Sequence, residues 1–386
     1  MSGPAARGRP PRVLVASLRQ LRPTPARCVN VELEDRILDM DEAELWSAPA
    51  PAALPVLAQR ALHRAPRELP ALRPLAGWAA RRLGPCPLER DYELLFVTCQ
   101  APGDLYLLGP LEAWRRRCRL LVCMVDELWA ETIPRRAGEL SLLDQFDRVF
   151  LGCRGSVDGL AQRMRTPVEY LPPGVDALAF HPGDTPPRRG VDVYSLGRRS
   201  ERTHGALRDH CRRRGWLYLY DTLRAREVLD ARQHRALLAD LIRRTRYFVA
   251  NRAKADVPGQ TRGQEELGFR FFEGAAGGAV LIGDPPRGEA FLEHFAWEDS
   301  VIPLEYGSGA AGALLDQLER QPERVERIRW RNVSNVLLRH DWACRWQRIL
   351  ESVGLAPSPR LLSRRAYLRD LSRDAVARAR LEPSPA

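Results

Sequence analysis

The chain has almost no lysine: among 386 residues Lys254 is the only one, and every other strong base is arginine. The net charge of +11 comes with a composition weighted to arginine, alanine and 31 prolines, which reads as a solvated arginine surface. A lysine-rich tail, zinc-finger spacing and an RNP-like aromatic motif are missing, which argues against nucleic acid as a partner. Eight cysteines are present (Cys28, Cys86, Cys99, Cys118, Cys123, Cys153, Cys211, Cys344), but no two form a C-x-x-C pair. Neither a disulfide framework nor a zinc site is expected. No apolar run approaches the roughly 18–20 residues that span a bilayer, so no transmembrane segment is expected. The opening "MSGPAARGRPPR" lacks the apolar stretch of a secretory signal, and the expectation is a cytoplasmic protein. A Walker loop, a strand-linked G-x-G-x-x-G and any internal repeat are absent as well.

What is present is an alternation. The runs "RVLVASL" (12–18), "ELLFVTC" (93–99), "RLLVCMV" (119–125) and "RVFLGC" (148–153) read as buried parallel strands. Amphipathic stretches such as 54–65 and 156–164 lie between them. A proline- and glycine-dense passage at 168–190 precedes a restart with "VDVYSLG" (191–197), "WLYLYD" (216–221), "YFVAN" (247–251) and "AVLIGD" (279–284). The fold class expected is α/β, with two Rossmann-like doubly wound domains facing one another across a cleft. The expected boundaries are a lead-in at 1–11, a first domain at 12–178 and a linker at 179–190. A second domain at 191–335 follows, then closing helices at 336–372 that return toward the first domain, and a tail at 373–386.

Two places stand out for chemistry. After "YFVAN" about fifteen residues, "RAKADVPGQTRGQEE", intervene before the next helix, and loops of that length in an α/β unit are usually functional. The loop carries Arg252, Lys254 and Arg262, and the helix start near Glu266, Leu267 and Gly268 offers unpaired amides to an anion. Glu265 stands at that mouth, and Glu273 lies eight residues on, within the helix, which ends at Gly277 and Gly278. A plainer alternative is that Glu265 and Glu266 favour the helix start while Glu273 pairs with a nearby arginine. The second place is "SLGRRSERTHG" (195–205), where Gly197 closes a strand and Arg198, Arg199 and Arg202 cluster before a helix. Cations there oppose the helix dipole at about 0.3–1 kcal/mol each, a conflict that a bound phosphate removes. Composition alone also places some arginines at helix starts. In the first half, "CMVDELWAE" (123–131) sets Asp126 and Glu127 just past a strand, as acceptor contact and proton handler or as a helix cap. His63, His181, His210, His234 and His294 have no motif around them.

Four segments together resemble the nucleotide-sugar-dependent glycosyltransferases of the two-Rossmann-domain (GT-B) architecture, group-one retaining type, nearest the CgeB-like (spore maturation protein-like) branch. "LPPGVDALAFHP" (171–182) resembles the segment leaving the first domain, and "YSLGRRSERTHG" (194–205) the turn opening the donor domain. "EELGFRFFEGAAGGAVLIGD" (265–284) resembles the E-x7-E motif, and "HDWACRWQRIL" (340–350) the closing helix with Trp342 and Arg345. The likeness covers about 168–355. It implies that Glu265 faces the donor sugar, with the Glu266, Leu267 and Gly268 amides near sugar hydroxyls or phosphate. It further implies that Glu273 accepts hydrogen bonds from the ribose. Arg198, beside Gly197, would contact the diphosphate of a nucleotide diphosphate sugar without an essential metal or other cofactor. Two departures accompany the likeness. Thr203 stands where the family has a lysine, leaving Arg202 or Lys254 to supply the charge. No histidine lies near Asp126, where the family often carries one. The implied activity is sugar transfer to an unknown acceptor, which could be a small molecule, a glycan or a peptide. A nucleotide-sugar epimerase or phosphorylase, or a non-catalytic anion- or nucleic-acid-binding protein on the same fold, are the alternatives.

Overall fold

The computed structural model describes residues 10–19, 24–47, 86–109, 111–222 and 228–379. The amphipathic stretch at 54–65, with His63, lies outside them. Six parallel strands form the first sheet: β1 (Val13–Ser17), β2 (Ala43–Ser47), β3 (Tyr92–Cys99), β4 (Cys118–Val125), β5 (Arg148–Leu151) and β6 (Val168–Tyr170), in the order β2-β1-β3-β4-β5-β6. The second sheet contains β7 (Val191–Ser195), β8 (Tyr218–Tyr220), β9 (Thr245–Val249), β10 (Val280–Gly283) and β11 (Ile302–Pro303), ordered β8-β7-β9-β10-β11 and again parallel. The longer helices are α1 (Cys28–Met40), α2 (Glu201–Arg214), α3 (Ala231–Arg243), α4 (Phe269–Ala276), α5 (Pro322–Arg339), α6 (Trp342–Ser352) and α7 (Pro359–Ala379).

The strands read as continuous apolar runs because both faces of each sheet are covered. Alternate residues go to opposite sides. Leu14, Ala16, Leu95 and Val97 enter a cluster on the outer face of the first sheet. Tyr247, Val249, Val280 and Ile282 do the same on the second. The intervening residues Val13, Val15, Phe96, Phe248 and Leu281 all belong to one central cluster, continuous across the domain boundary through Trp342 and Trp346. The two domains therefore share a core as well as a cleft.

The closing helices supply that continuity. Trp346 stacks edge-on against Phe96 at 5.3 Å between centroids and donates its indole N–H to Asp41 at 2.9 Å. Trp342 donates to Glu32 of α1 at 2.8 Å. Arg345 donates to the carbonyls of Pro172 (2.9 Å) and Pro173 (2.8 Å), and Val175 pairs with Asp341 in a parallel bridge. The linker motif and the closing-helix motif thus lie against each other, although some 170 residues separate them. The boundary expected at 335/336 falls inside α5, and the expected tail from 373 is helical as far as Ala379. The arginine surface read from composition also needs correcting. Arg27, Arg235 and Arg345 are only 5–6% exposed and serve as interior donors.

Gly174 shows how tight the junction is. A Cβ there would meet the Trp342 ring at 2.5 Å, a distance the indole cannot yield without leaving Glu32. Gly174→Ala should therefore cost about 1–3 kcal/mol, the usual price of overpacking, and show as a lowered melting temperature. An unchanged melting temperature would mean that the junction is more compliant than this packing implies.

Candidate active site

In the second sheet β7 lies between β8 and β9, so the chain reverses its direction across the sheet there. Such a reversal leaves a crevice outside the carboxyl ends of the strands. Both loops singled out from the sequence leave β7 and β9 at that crevice.

After β7, Gly197 adopts φ +84°, a left-handed conformation that glycine reaches without strain, and its N–H donates to Asp221 at 2.7 Å. Arg198 is 58% exposed and paired with Asp256 at 2.7 Å. Arg199 donates to the Asp221 carbonyl at 3.0 Å and lies over the Tyr220 ring. Helix α2 carries its own cap: the Ser200 side chain accepts from the Thr203 N–H. Exposed Arg202 follows on the first turn, beside Gly309.

The loop after β9 crosses to the other domain. Lys254 has φ +56°, a conformation costing about 1–2 kcal/mol for a residue with a side chain. The strained backbone places Nζ 2.7 Å from Glu127 and 4.5 Å from the centre of the Trp129 ring. Further along, Arg262 pairs with Glu131 at 3.0 Å, and Gln264 accepts from the Ala130 N–H at 3.0 Å. Arg252 stays within its own domain, on Asp284 and, at 3.4 Å, on Glu265.

Glu265 accepts the Arg287 N–H at 2.7 Å and lines an open pocket of about 540 Å³. Ala130, Glu131 and Gly155 of the first domain form its opposite wall. Glu266 turns away into the interface and is buried, its carboxylate on the Arg154 and Gly155 amides. Leu267 belongs to the central core. Gly268 is the N-cap of α4, where no side chain caps the helix, so its first-turn amides are open to an anion.

Glu273 is fully buried. Arg235 of α3 takes one carboxylate oxygen and Arg270 the other. Burial disfavours its charge, but Arg270 and Arg235 outweigh that and hold the carboxyl below its ordinary value. The arginine partner weighed as the plainer alternative is therefore present, and no oxygen of Glu273 faces the crevice in this arrangement. Arg270 stands between Glu273 and the site, 28% exposed, with its field reaching Tyr194 at the end of β7.

In the first domain Asp126 follows β4 directly. Its carboxyl has no hydrogen-bond partner among the described residues, and burial, aided by the neighbouring Glu127 charge, pushes it up to about 8. Glu127 behaves oppositely. Burial works against its charge, yet Lys254, Trp129 and Arg198 prevail and lower it. Arg198 and Lys254 thus act on one carboxylate, and Arg198 and Arg252 both act on Tyr306. Arg198, Arg252, Lys254 and Glu265 gather around the mouth of the crevice, with Asp126 next in the chain to the Glu127 that pairs with Lys254, whereas Glu266, Leu267 and Glu273 support it from inside. Each of the three gathered cations is balanced by a carboxylate that a diphosphate could replace. The sequence reading missed Arg235 and Glu32 as the supports of Glu273. They lie 38 residues from it and, in the case of Glu32, a domain away, so no local pattern marks them.

Anabaena HepE, solved in complex with UDP-glucose, superposes with a TM-score of 0.51 at 12% identity, covering 89% of this chain and 99% of that one. The α,α-trehalose-phosphate synthase (UDP-forming) of Burkholderia vietnamiensis gives 0.49 at 12% identity, over 95% and 100%. No curated protein matches the chain in sequence. The HepE superposition, with the two facing parallel sheets, gives the chain the GT-B fold. Residues 195–351, from the end of β7 to the end of α6, match the family described as "Glycosyl transferase-like".

Proposed function

We propose that the protein transfers a glycosyl unit from a nucleoside diphosphate sugar held by the second domain to an acceptor hydroxyl at the carboxyl edge of the first sheet. The observation that carries this reading is the gathering of Arg198, Arg252 and Lys254 with the uncapped start of α4 at one crevice, with Glu127 of the first domain across it. It lies in the stretch that matches the glycosyl transferase-like family. The E-x7-E pair within 265–284 supports placing the chain with the CgeB-like branch and supports retention.

In the reaction the acceptor oxygen bonds to the anomeric carbon as the bond from that carbon to the β-phosphate oxygen breaks. The departing diphosphate gains negative charge; Arg198 and Lys254 exchange the carboxylates they now face for it, and the α4 amides add to its stabilisation. Glu265 steadies the sugar and the charge developing on its ring. Glu273 acts through Arg270, which it holds toward the nucleotide. With retention, the acceptor enters on the face that the diphosphate leaves, and a phosphate oxygen takes its proton while ionised Asp126 holds the hydroxyl. The residues named perform this chemistry without a metal.

Three measurements test the reading. A nucleoside diphosphate should raise the melting temperature of the wild type, and Arg198→Ala should remove most of that shift. Glu265→Gln should lower turnover by about 100-fold or more with little change in donor affinity. If wild-type protein is stabilised by no nucleoside diphosphate and cleaves no nucleotide sugar, the reading is wrong.

Asp126 sets a pH dependence with a definite sign. Its folded-state value near 8 lies above the roughly 3.9 of an unfolded aspartate, so between these values the folded state keeps a proton the unfolded state has lost. Stability should fall as pH rises through that window. Asp126→Asn should melt higher than wild type by a margin that grows from pH 5 to about 8 and then levels off. Transfer by the wild type should increase through about pH 8, and Asp126→Asn should flatten that limb. Parallel stability curves for the two proteins would show that Asp126 titrates normally.

A further inference from the structure

Glu265 is flanked by two residues that both reach the first domain. Glu266 places one carboxylate oxygen 2.8 Å from the Arg154 N–H and the other 2.8 Å from the Gly155 N–H. The Gln264 amide nitrogen donates to Glu266 at 2.6 Å and to Ser156 Oγ at 3.0 Å, while its oxygen accepts from Ala130. Residues 264–268 form neither helix nor strand, and Glu265 points the opposite way from its neighbours, to the Arg287 N–H and Arg252. The carbonyl of Glu266 is held from behind by the Ala253 N–H at 2.9 Å. The segment is thus pinned on both sides of Glu265, its own carboxylate at the pocket.

The first domain is shaped to receive this hook. Arg154 and Gly155 follow β5 just beyond the carboxyl edge of the first sheet, the edge that carries Asp126 on β4. A Cβ at Gly155 would lie 3.1 Å from Glu266 Oε1 and 3.1 Å from Gln264 Cγ, closer than side chains ordinarily approach. Glycine is what lets the hook seat. A carboxylate accepting two backbone N–H groups makes short, directional, charge-assisted bonds. Such bonds fix position as well as supplying attraction.

We infer that Glu266 is a positioning residue: hooked on the Arg154 and Gly155 amides, it sets where Glu265 stands relative to the acceptor edge. The inference rests on the glycosyl-transfer reading. Glu266 touches neither donor nor acceptor in this role. Its effect is on alignment between a sugar bound by one domain and a hydroxyl bound by the other.

The test is kinetic, on full-length protein with a nucleotide-sugar donor that the wild type cleaves. Glu266→Ala should keep the melting-temperature shift given by the nucleoside diphosphate, yet lower transfer turnover by about 10- to 100-fold, as expected for a reacting pair moved by about an ångström. Donor hydrolysis by water should fall less than transfer, because water needs no alignment with the acceptor edge. Glu266→Gln, which keeps one acceptor oxygen, should recover part of the transfer. Gly155→Ala keeps the Glu266 side chain but crowds its seat and should give the same split in a milder form, so the inference survives a Glu266 variant that fails to fold. Wild-type turnover in both Glu266→Ala and Gly155→Ala overturns it, and so does a loss of turnover matched by an equal loss of nucleoside diphosphate binding. A wild type that neither binds a nucleoside diphosphate nor cleaves any nucleotide sugar overturns the functional reading instead, and the two failures are distinct.

Discussion

The carboxylate of Glu32 is the point on which both domains depend. It accepts Arg235 through two guanidinium nitrogens at 2.6 and 3.2 Å, the Trp342 indole at 2.8 Å and the Asp176 N–H at 2.8 Å. These donors come from the second domain, the closing helix and the segment leaving the first domain, while Glu32 itself sits on α1. A buried carboxylate is costly unless its lone pairs are filled, and here they are filled from three directions. Removing one partner of such a buried pair typically costs about 3–5 kcal/mol, since the other charge stays behind unpaired. The interface is specified by that penalty as much as by the apolar cluster around it.

From Glu32 the charges run inward as a chain: Glu32 to Arg235, Arg235 to Glu273, Glu273 to Arg270. Its far end is the partly exposed Arg270 on the first turn of the helix that follows Glu265. The donor motif is therefore tied to the domain interface at two levels. Glu273 joins it through the core, and Glu266 joins it through the loop. The two glutamates of the motif have opposite surroundings because one precedes the helix and the other lies inside it, on the face turned to α3.

The strands were legible because a doubly covered parallel sheet demands unbroken apolar runs, and "YELLFVTC" and "RLLVCMV" have no competing reading. The edge strand β2, "AELWS", was not legible. It is half-exposed on every residue but one and alternates too weakly to declare itself. The candidate site had a local mark in the sequence where one segment carries it, as with Gly197–Arg198 or Glu265–Glu273. It was illegible where partners come from afar. Nothing in the sequence singles out Arg235, and only the fold shows that it is buried over the Phe180 ring between two carboxylates. In a chain whose bases are nearly all arginine, composition hides which of them are structural.

The length of the loop after β9 has a physical cause. A short connection would hold β9 and α4 together, as elsewhere in the sheet, but could not reach the first domain. By running from Arg252 to Gly268 the chain places Lys254, Arg262, Gln264 and Glu266 in turn against Glu127, Glu131, Ala130 and the Arg154–Gly155 amides. An exposed ion pair contributes about 0–1 kcal/mol, so Arg262 adds little stability alone, while Lys254 makes a half-buried pair with Glu127. Gln264 and Glu266 each accept from backbone N–H groups of the first domain, which cannot rearrange as side chains can. The flexible pairs can exchange partners when an anion arrives, and the fixed ones keep the register while they do so. One loop can then combine cations that are free to change partners with a fixed seat for Glu265.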